Sequence, residues 1–224
     1  MTIFFVVTGN KEELEVIREL KPPNILLSYW YFKCKSLSEF CEQIGYTPNI
    51  LLDSGAYSAF TKNKTVNLLD YMNFIRANPM VKDYIALDVI GDSLLTIAFY
   101  DIMRIKGFDP IAVYHYGEDQ QVLNHYLESG AKTIALGGTV PIKDKTKVAE
   151  WCKELHLKYP DIQFHLLGST SKVVLESQSV VSCDSSSWYM MAVNGYPKEI
   201  PGKTRTAKIE RAKYQLRNLM ELSS

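Results

Sequence analysis

The stretch ILLDSGAYSAF, residues 50–60, runs from an unbroken apolar segment straight into an acid, a serine and a glycine. Ile50, Leu51 and Leu52 would point to both faces of an extended chain. A strand of that kind is covered on both sides, as in a parallel sheet, rather than half exposed as in an antiparallel one. Asp53 and Gly55 then supply a stop and a turn. The same unit repeats outward in both directions: an apolar run, a turn signal, an amphipathic stretch. The runs are IFFVV from Ile3, ILLSYWY from Ile25, ILLD from Ile50, YIALDV from Tyr84, IAVYHY from Ile111, TIALGG from Thr133, IQFHLLG from Ile162 and VVSCD from Val180, eight in all.

Between the runs lie segments with helical spacing. Leu14, Ile17 and Leu20 share a face over Lys11 to Leu20, and Ser36 is placed to cap a helix carrying Leu37, Phe40, Cys41 and Ile44. Further helices are predicted after Asn67, over Leu94 to Ile105, Asp119 to Leu127, Lys145 to Leu157 and Thr170 to Glu176, and finally over Thr204 to Leu222. Strands alternating with helices predict a compact (β/α)8 TIM barrel, a single domain over residues 1–224, somewhat shorter than the usual roughly 250 residues. An open doubly wound sheet is the alternative that periodicity leaves standing.

Composition bounds the function classes. Lys plus Arg equals Asp plus Glu at 25 each, so no global field points to a polyanionic partner. The four cysteines, Cys34, Cys41, Cys152 and Cys183, form no C-x-x-C pair and no Cys/His cluster with metal-ligand spacing. Together with apolar runs far short of membrane-spanning length and no leader-like segment, they point to free thiols in a cytoplasmic chain without membrane contact.

The polar residues gather at the ends of the runs. Asp53 ends the third, Asp88 the fourth, His115 the fifth, Gly137 and Gly138 the sixth, Gly168 the seventh and Asp184 the eighth. In a barrel these ends share one rim, where active sites are built. Three acids and an imidazole there are read as a site, with Ser54, Gly55, Gly137 and Gly138 leaving room for a flat ligand. A divalent metal on the Asp/His rim is a separate possibility. His165 reads as a hydrogen-bonded core residue.

In order along the chain, LLDSGAYSAF, ALD at Ala86–Asp88, the fifth-strand end at His115–Gly117, ALGG at Ala135–Gly138, HLLGS at His165–Ser169 and SCDSSSW at Ser182–Trp188 resemble the tRNA-guanine transglycosylase superfamily. The similarity is greatest to its short, phage-type relatives thought to insert 7-deazaguanines into DNA. The resemblance implies a pentosyltransferase: exchange of guanine in a polynucleotide, DNA ahead of tRNA, for a free 7-deazaguanine base, with no cofactor and no resident metal. It makes Asp184 the nucleophile on the sugar and Asp53 the general acid/base. Asp88, Gly137 and Gly138 would meet the base edge, and Tyr57 would stack on it. His115 stands where the family has a glutamine, with Tyr116 beside it. The family's cysteine-rich zinc module is missing. A hydrolytic relative and a tRNA-acting enzyme are the alternatives, a helper protein is a further possible partner, and the compartment would be a host cytoplasm if the chain is phage-encoded.

Two further expectations concern the rim. Trp188 reads equally as a wall for the sugar or as packing, and Trp30 and Tyr31 carry the same ambiguity. From Lys198 to Arg217 the charges are Lys198, Lys203, Arg205, Lys208, Arg211, Lys213 and Arg217 against Glu199 and Glu210. Lys203, Arg205, Lys208 and Arg211 are expected to grip a phosphate backbone.

Overall fold

The computed structural model describes residues 1–222. Each apolar run forms a strand: β1 (Thr2–Val7), β2 (Asn24–Ser28), β3 (Asn49–Asp53), β4 (Asp83–Tyr84), β5 (Ala112–His115), β6 (Thr133–Gly137), β7 (Gln163–Leu166) and β8 (Ser182–Ser185). All neighbours are parallel, in the order β4-β3-β2-β1-β8-β7-β6-β5. The edge strands β4 and β5 meet at a single parallel bridge, Ile85 to Ile111, through Ala86 N–H to Ile111 O and Ile111 N–H to Tyr84 O, both 2.8 Å. The (β/α)8 TIM-barrel fold is thus as expected, with its closure carried by that one bridge. β4 is shorter than the run from Tyr84 to Val89 suggested.

Two apolar layers follow from the period-2 alternation of the strands. Phe4, Leu26, Leu51, Ile85, Val113 and Ala135 fill the barrel interior. The opposite faces bury Ile3, Ile25, Ile50, Ala112, Ile134 and Cys183 against the surrounding helices. Two residues beyond the inner layer, on the same face, come Ser28, Asp53, Leu87, His115 and Gly137. The strand that places Leu51 in the core therefore places Asp53 in the mouth.

The principal outer helices are α1 (Lys11–Leu20), α3 (Leu37–Ile44), α5 (Leu68–Ala77), α6 (Ser93–Ile105), α7 (Gln120–Glu128), α8 (Lys145–Lys158), α9 (Lys172–Ser177) and α11 (Arg205–Leu222). Their starts obey local chemistry. Asn10 and Glu13 form a reciprocal capping box at α1, and Ser36, Asn67, Asp92, Asp119 and Asp144 accept from first-turn amides. Three short helices on the C-terminal rim lie outside the sequence expectations: α2 (Tyr29–Phe32), α4 (Ala56–Phe60) and α10 (Ser187–Val193).

Helix α11 closes the molecule against α1 and α10. Ile209, Ala212 and Leu216 are buried there. Its cations meet the acids of α1: Arg205 with Glu15 at 2.6 Å, Lys208 with Glu12 at 2.8 Å, Lys213 with Glu19 at 2.6 Å. Such surface pairs contribute about 0–1 kcal/mol each, whereas burying Ile209 or Leu216 contributes about 1.5–3 kcal/mol, so the apolar seam dominates and the charges fix its register. Arg211 is buried, donating to the carbonyls of Ala192, Ile200 and Gly202 at 2.9–3.0 Å. The basic excess of the tail is engaged within the fold at Arg205, Lys208 and Arg211; Lys203 stays exposed.

Trp188 is fully buried on α10 and donates its indole N–H to Val6 O at 3.1 Å, which makes it a packing residue. No helix among the described residues is long and apolar enough to cross a membrane.

Candidate active site

The three acids predicted from the strand ends do gather at one mouth, each in a different setting. Asp53, at the last position of β3, is partly buried, and its Oδ2 accepts the Gly55 N–H at 2.9 Å. Burial raises its pKa from an ordinary 3.8 to about 6, with the charge of Asp184 the next cause. The Gly55 amide and Ser28 hydroxyl favour the carboxylate but do not prevail. Near neutral pH an appreciable fraction of Asp53 is a carboxylic acid, able to donate a proton.

Asp184, in β8, is buried. Its Oδ1 accepts the Gly168 N–H at 3.0 Å and lies 3.2 Å from His165 Nε2, while His165 Nδ1 lies 2.8 Å from Ser182 Oγ. His165 and Ser182 are register partners on β7 and β8, and Asp184 sits two residues beyond Ser182 on the same face. His165 is therefore hydrogen-bonded, as expected, and its partner is the candidate catalytic acid. The chain Ser182–His165–Asp184 holds that carboxylate in one orientation.

Asp88 lies just beyond β4. Its Oδ1 accepts the Thr96 hydroxyl at 3.1 Å and its Oδ2 is 3.2 Å from His115 Nε2. The other ring nitrogen of His115 is 3.2 Å from Glu118 Oε1. Burial alone would depress the imidazole pKa, but the two carboxylates outweigh it and push it up to about 10. His115 is thus an imidazolium donating from both nitrogens. With both nitrogens donating to these acids, the ring offers no acceptor to a ligand. Glu118 escaped the sequence reading; the signal was its spacing three residues after a strand-end histidine, across a turn at Gly117.

The glycines serve these side chains rather than an open slot. A Cβ on Gly137 would lie 2.5 Å from His115 Cδ2 and 2.8 Å from Nε2, so the missing side chain is the space the imidazole occupies. Gly138, with φ +72°, lies beneath Tyr116 N and His115 Cβ. Gly55, with φ +79°, is packed on Trp30: an added Cβ would stand 2.5 Å from Trp30 Cβ and 2.9 Å from its backbone N. The side chains around them divide between surface and core. Tyr57 is 66% exposed on α4, and Tyr116 packs edge-on against Trp151 with ring centroids 5.2 Å apart. Ser54 is buried and its hydroxyl has no partner among the described residues.

A groove of about 740 Å³ leads away from Asp88 between α4, the start of α5 and α6. Its walls are mainly apolar, among them Ala59, Val66, Met72, Leu95 and Phe99. That size suits a small-molecule ligand. Among the described residues no group of three His, Cys, Asp or Glu side chains is arranged to hold a metal ion.

No protein-family model and no curated protein sequence matches the chain. Solved structures do match its fold. The YdjI aldolase from Escherichia coli K12 superposes with a TM-score of 0.62 at 13% identity, over 100% of this chain and 91% of that one. A Coccidioides immitis protein assigned as a fructose-1,6-biphosphate aldolase gives 0.61 at 11% identity, over 99% and 90%. Orotidine 5'-monophosphate decarboxylase from Metallosphaera sedula gives 0.53 at 12% identity, over 98% and 100%. These findings overturn the resemblance to the transglycosylase superfamily and, with it, guanine exchange on DNA or tRNA by a pentosyltransferase. These three solved structures are two aldolases and a decarboxylase, and at 11–13% identity what they share with this chain is the barrel fold. Short strand-end motifs such as LLDSG and ALGG reflect what a barrel mouth requires locally, an acid and a tight turn, and do not carry a family by themselves.

Proposed function

We propose that the chain is a TIM-barrel enzyme of the lyase type, breaking a carbon–carbon bond beside a carbonyl by carboxyl acid–base catalysis. The single observation that carries this reading is Asp53, a mouth carboxyl with a pKa of about 6 close enough to feel the charge of the oriented Asp184. Two carboxyls in contrasting settings are suited to opposite proton-transfer roles. The fold neighbours named as aldolases and a decarboxylase support the choice of reaction class.

In the cleavage direction Asp184 takes the proton from the substrate hydroxyl. The carbon–carbon bond breaks as that carbon becomes a carbonyl, and the electron pair passes to the substrate's existing carbonyl oxygen, which receives the proton of Asp53 as an enol. The two carboxyls exchange protonation state and are reset through solvent. None of the eight strands contains a lysine, so this reading takes its carbonyl activation from an acid rather than from a strand-borne amine. The His115 imidazolium, donating to Asp88 and Glu118, holds the Asp88 carboxylate in place beside the mouth. The apolar groove beyond Asp88 receives an apolar part of the substrate.

The test is a panel of β-hydroxy carbonyl compounds, with aldehyde or oxo-acid release followed by coupled dehydrogenases. Cleavage that falls about 10²–10⁴-fold in both Asp53→Asn and Asp184→Asn supports the assignment. Cleavage that survives both substitutions, or none across the panel, overturns it.

A further inference from the structure

The charges of this molecule are unevenly matched. Four of the tail cations, Arg205, Lys208, Lys213 and Arg217, meet acids of α1. On the C-terminal rim, Lys33, Lys35, Lys62 and Lys64 are all exposed, and none forms an ion pair among the described residues. Two of them converge on one ring. Lys33 Nζ is 4.5 Å and Lys62 Nζ 5.4 Å from the Trp30 ring centroid, and Lys62 Nζ is also 5.2 Å from that of Tyr31. Lys33 follows α2 and Lys62 follows α4, so the fold brings two like charges from separate elements to one aromatic ring. Cation–π attraction offsets part of their repulsion, and no carboxylate supplies the rest.

The location matters as much as the charge. Helix α2 leaves β2 at Ser28 and α4 leaves β3 through Asp53–Gly55, both on the C-terminal rim. Trp30 rests directly on Gly55, two residues after Asp53. Ser54, in the same turn, holds a buried hydroxyl without a partner. An anion drawn to these two ammonium groups would therefore sit at the lip of the mouth, beside the acid that acts on the substrate. We propose that Lys33 and Lys62, framed by Trp30 and Tyr31, anchor the phosphomonoester end of a small substrate whose reacting carbons lie at Asp53 and Asp184.

This rests on the lyase reading for the role of the anchored molecule, but not for the anchor itself. A phosphomonoester carries close to two negative charges near neutral pH and three acceptor oxygens, which matches two ammonium donors with no competing acid. A phosphodiester backbone shares the chemistry but carries one charge per residue, so the two sources separate experimentally.

Trp30 is its own reporter. Intrinsic fluorescence of the full chain is titrated with glycerol 3-phosphate, with inorganic phosphate, and with a short single-stranded oligonucleotide. The proposal expects a saturable change with both phosphate compounds, absent in Trp30→Phe, whose remaining indoles are Trp151 and Trp188. Calorimetry on Lys33→Gln/Lys62→Gln should show affinity for glycerol 3-phosphate lowered at least about tenfold, the loss of one to two charge-assisted hydrogen bonds. Binding unaffected by the double lysine substitution, or binding of the oligonucleotide without either phosphate compound, overturns the anchor. Phosphate binding that depends on the lysines, in a protein that cleaves no hydroxy carbonyl compound, upholds the anchor and sinks the lyase reading. Cleavage of unphosphorylated substrates with no phosphate binding does the reverse.

Discussion

Replacing Asp53 by asparagine should make the protein more stable, and only where the carboxyl of the unfolded chain is ionised. Below about pH 3.5 the side chain is protonated in folded and unfolded chains alike, and the site carries no penalty. Between 3.8 and about 6 the unfolded chain loses its proton while the folded one keeps it, so stability falls as pH rises. Above about 6 the loss is complete, and a displacement from 3.8 to about 6 corresponds to about 3 kcal/mol. Asparagine keeps an oxygen for the Gly55 N–H and carries no charge to desolvate or to oppose Asp184. The expected gain is therefore about 2–3 kcal/mol at pH 8, shrinking to about zero near pH 3.5. Urea unfolding of both proteins at the two pH values measures it, and titrations common to the two chains cancel in the difference. A gain of equal size at both pH values, or a loss at pH 8, would refute the electrostatic origin assigned to Asp53.

Three other perturbations probe the neighbouring parts. The imidazole of His115 should remain doubly protonated at pH 8 in nitrogen NMR spectra, and its stabilising effect, full below 6.5, should fade as pH rises through about 10. A ring titrating near 6.5 would break the Asp88–His115–Glu118 assignment. Gly137→Ala forces a methyl into the imidazole and should cost about 1–3 kcal/mol in chemical unfolding, while shifting the His115 titration downward. An unchanged titration would place the ring elsewhere. Trp188→Ala, emptying a fully buried site and orphaning Val6 O, should cost about 3–5 kcal/mol; a cost below about 1 kcal/mol would show that α10 does not carry this packing.

The barrel was legible because its signal is redundant. Each strand repeats the doubly apolar pattern, and a misjudged β4 still leaves seven others to set the fold. The rim residues were legible because they end the apolar runs: Asp53 and His115 follow Leu51 and Val113, which the structure places in the inner layer. What those residues touch was less visible. Glu118 and Thr96 reach the site from a turn and a helix, and no strand pattern points at them. The glycines misled because an absent side chain looks like free space in a sequence. At Gly137 the space belongs to His115 and at Gly55 to Trp30. The tail misled because net charge along a segment says nothing of what lies opposite, here the acids of α1. Family resemblance failed on short motifs that any acid-rimmed barrel can share.

The central claim is that Asp53 is a proton donor set by burial and by Asp184. Carbon-13 NMR of selectively labelled aspartate carboxyls tests it directly, with Asp53→Asn assigning the resonance. The account predicts a midpoint of about 6 in the native protein, falling in Asp184→Asn yet staying above 3.8 because burial is the larger cause. A native midpoint near 3.8, or one that Asp184→Asn leaves in place, would contradict it.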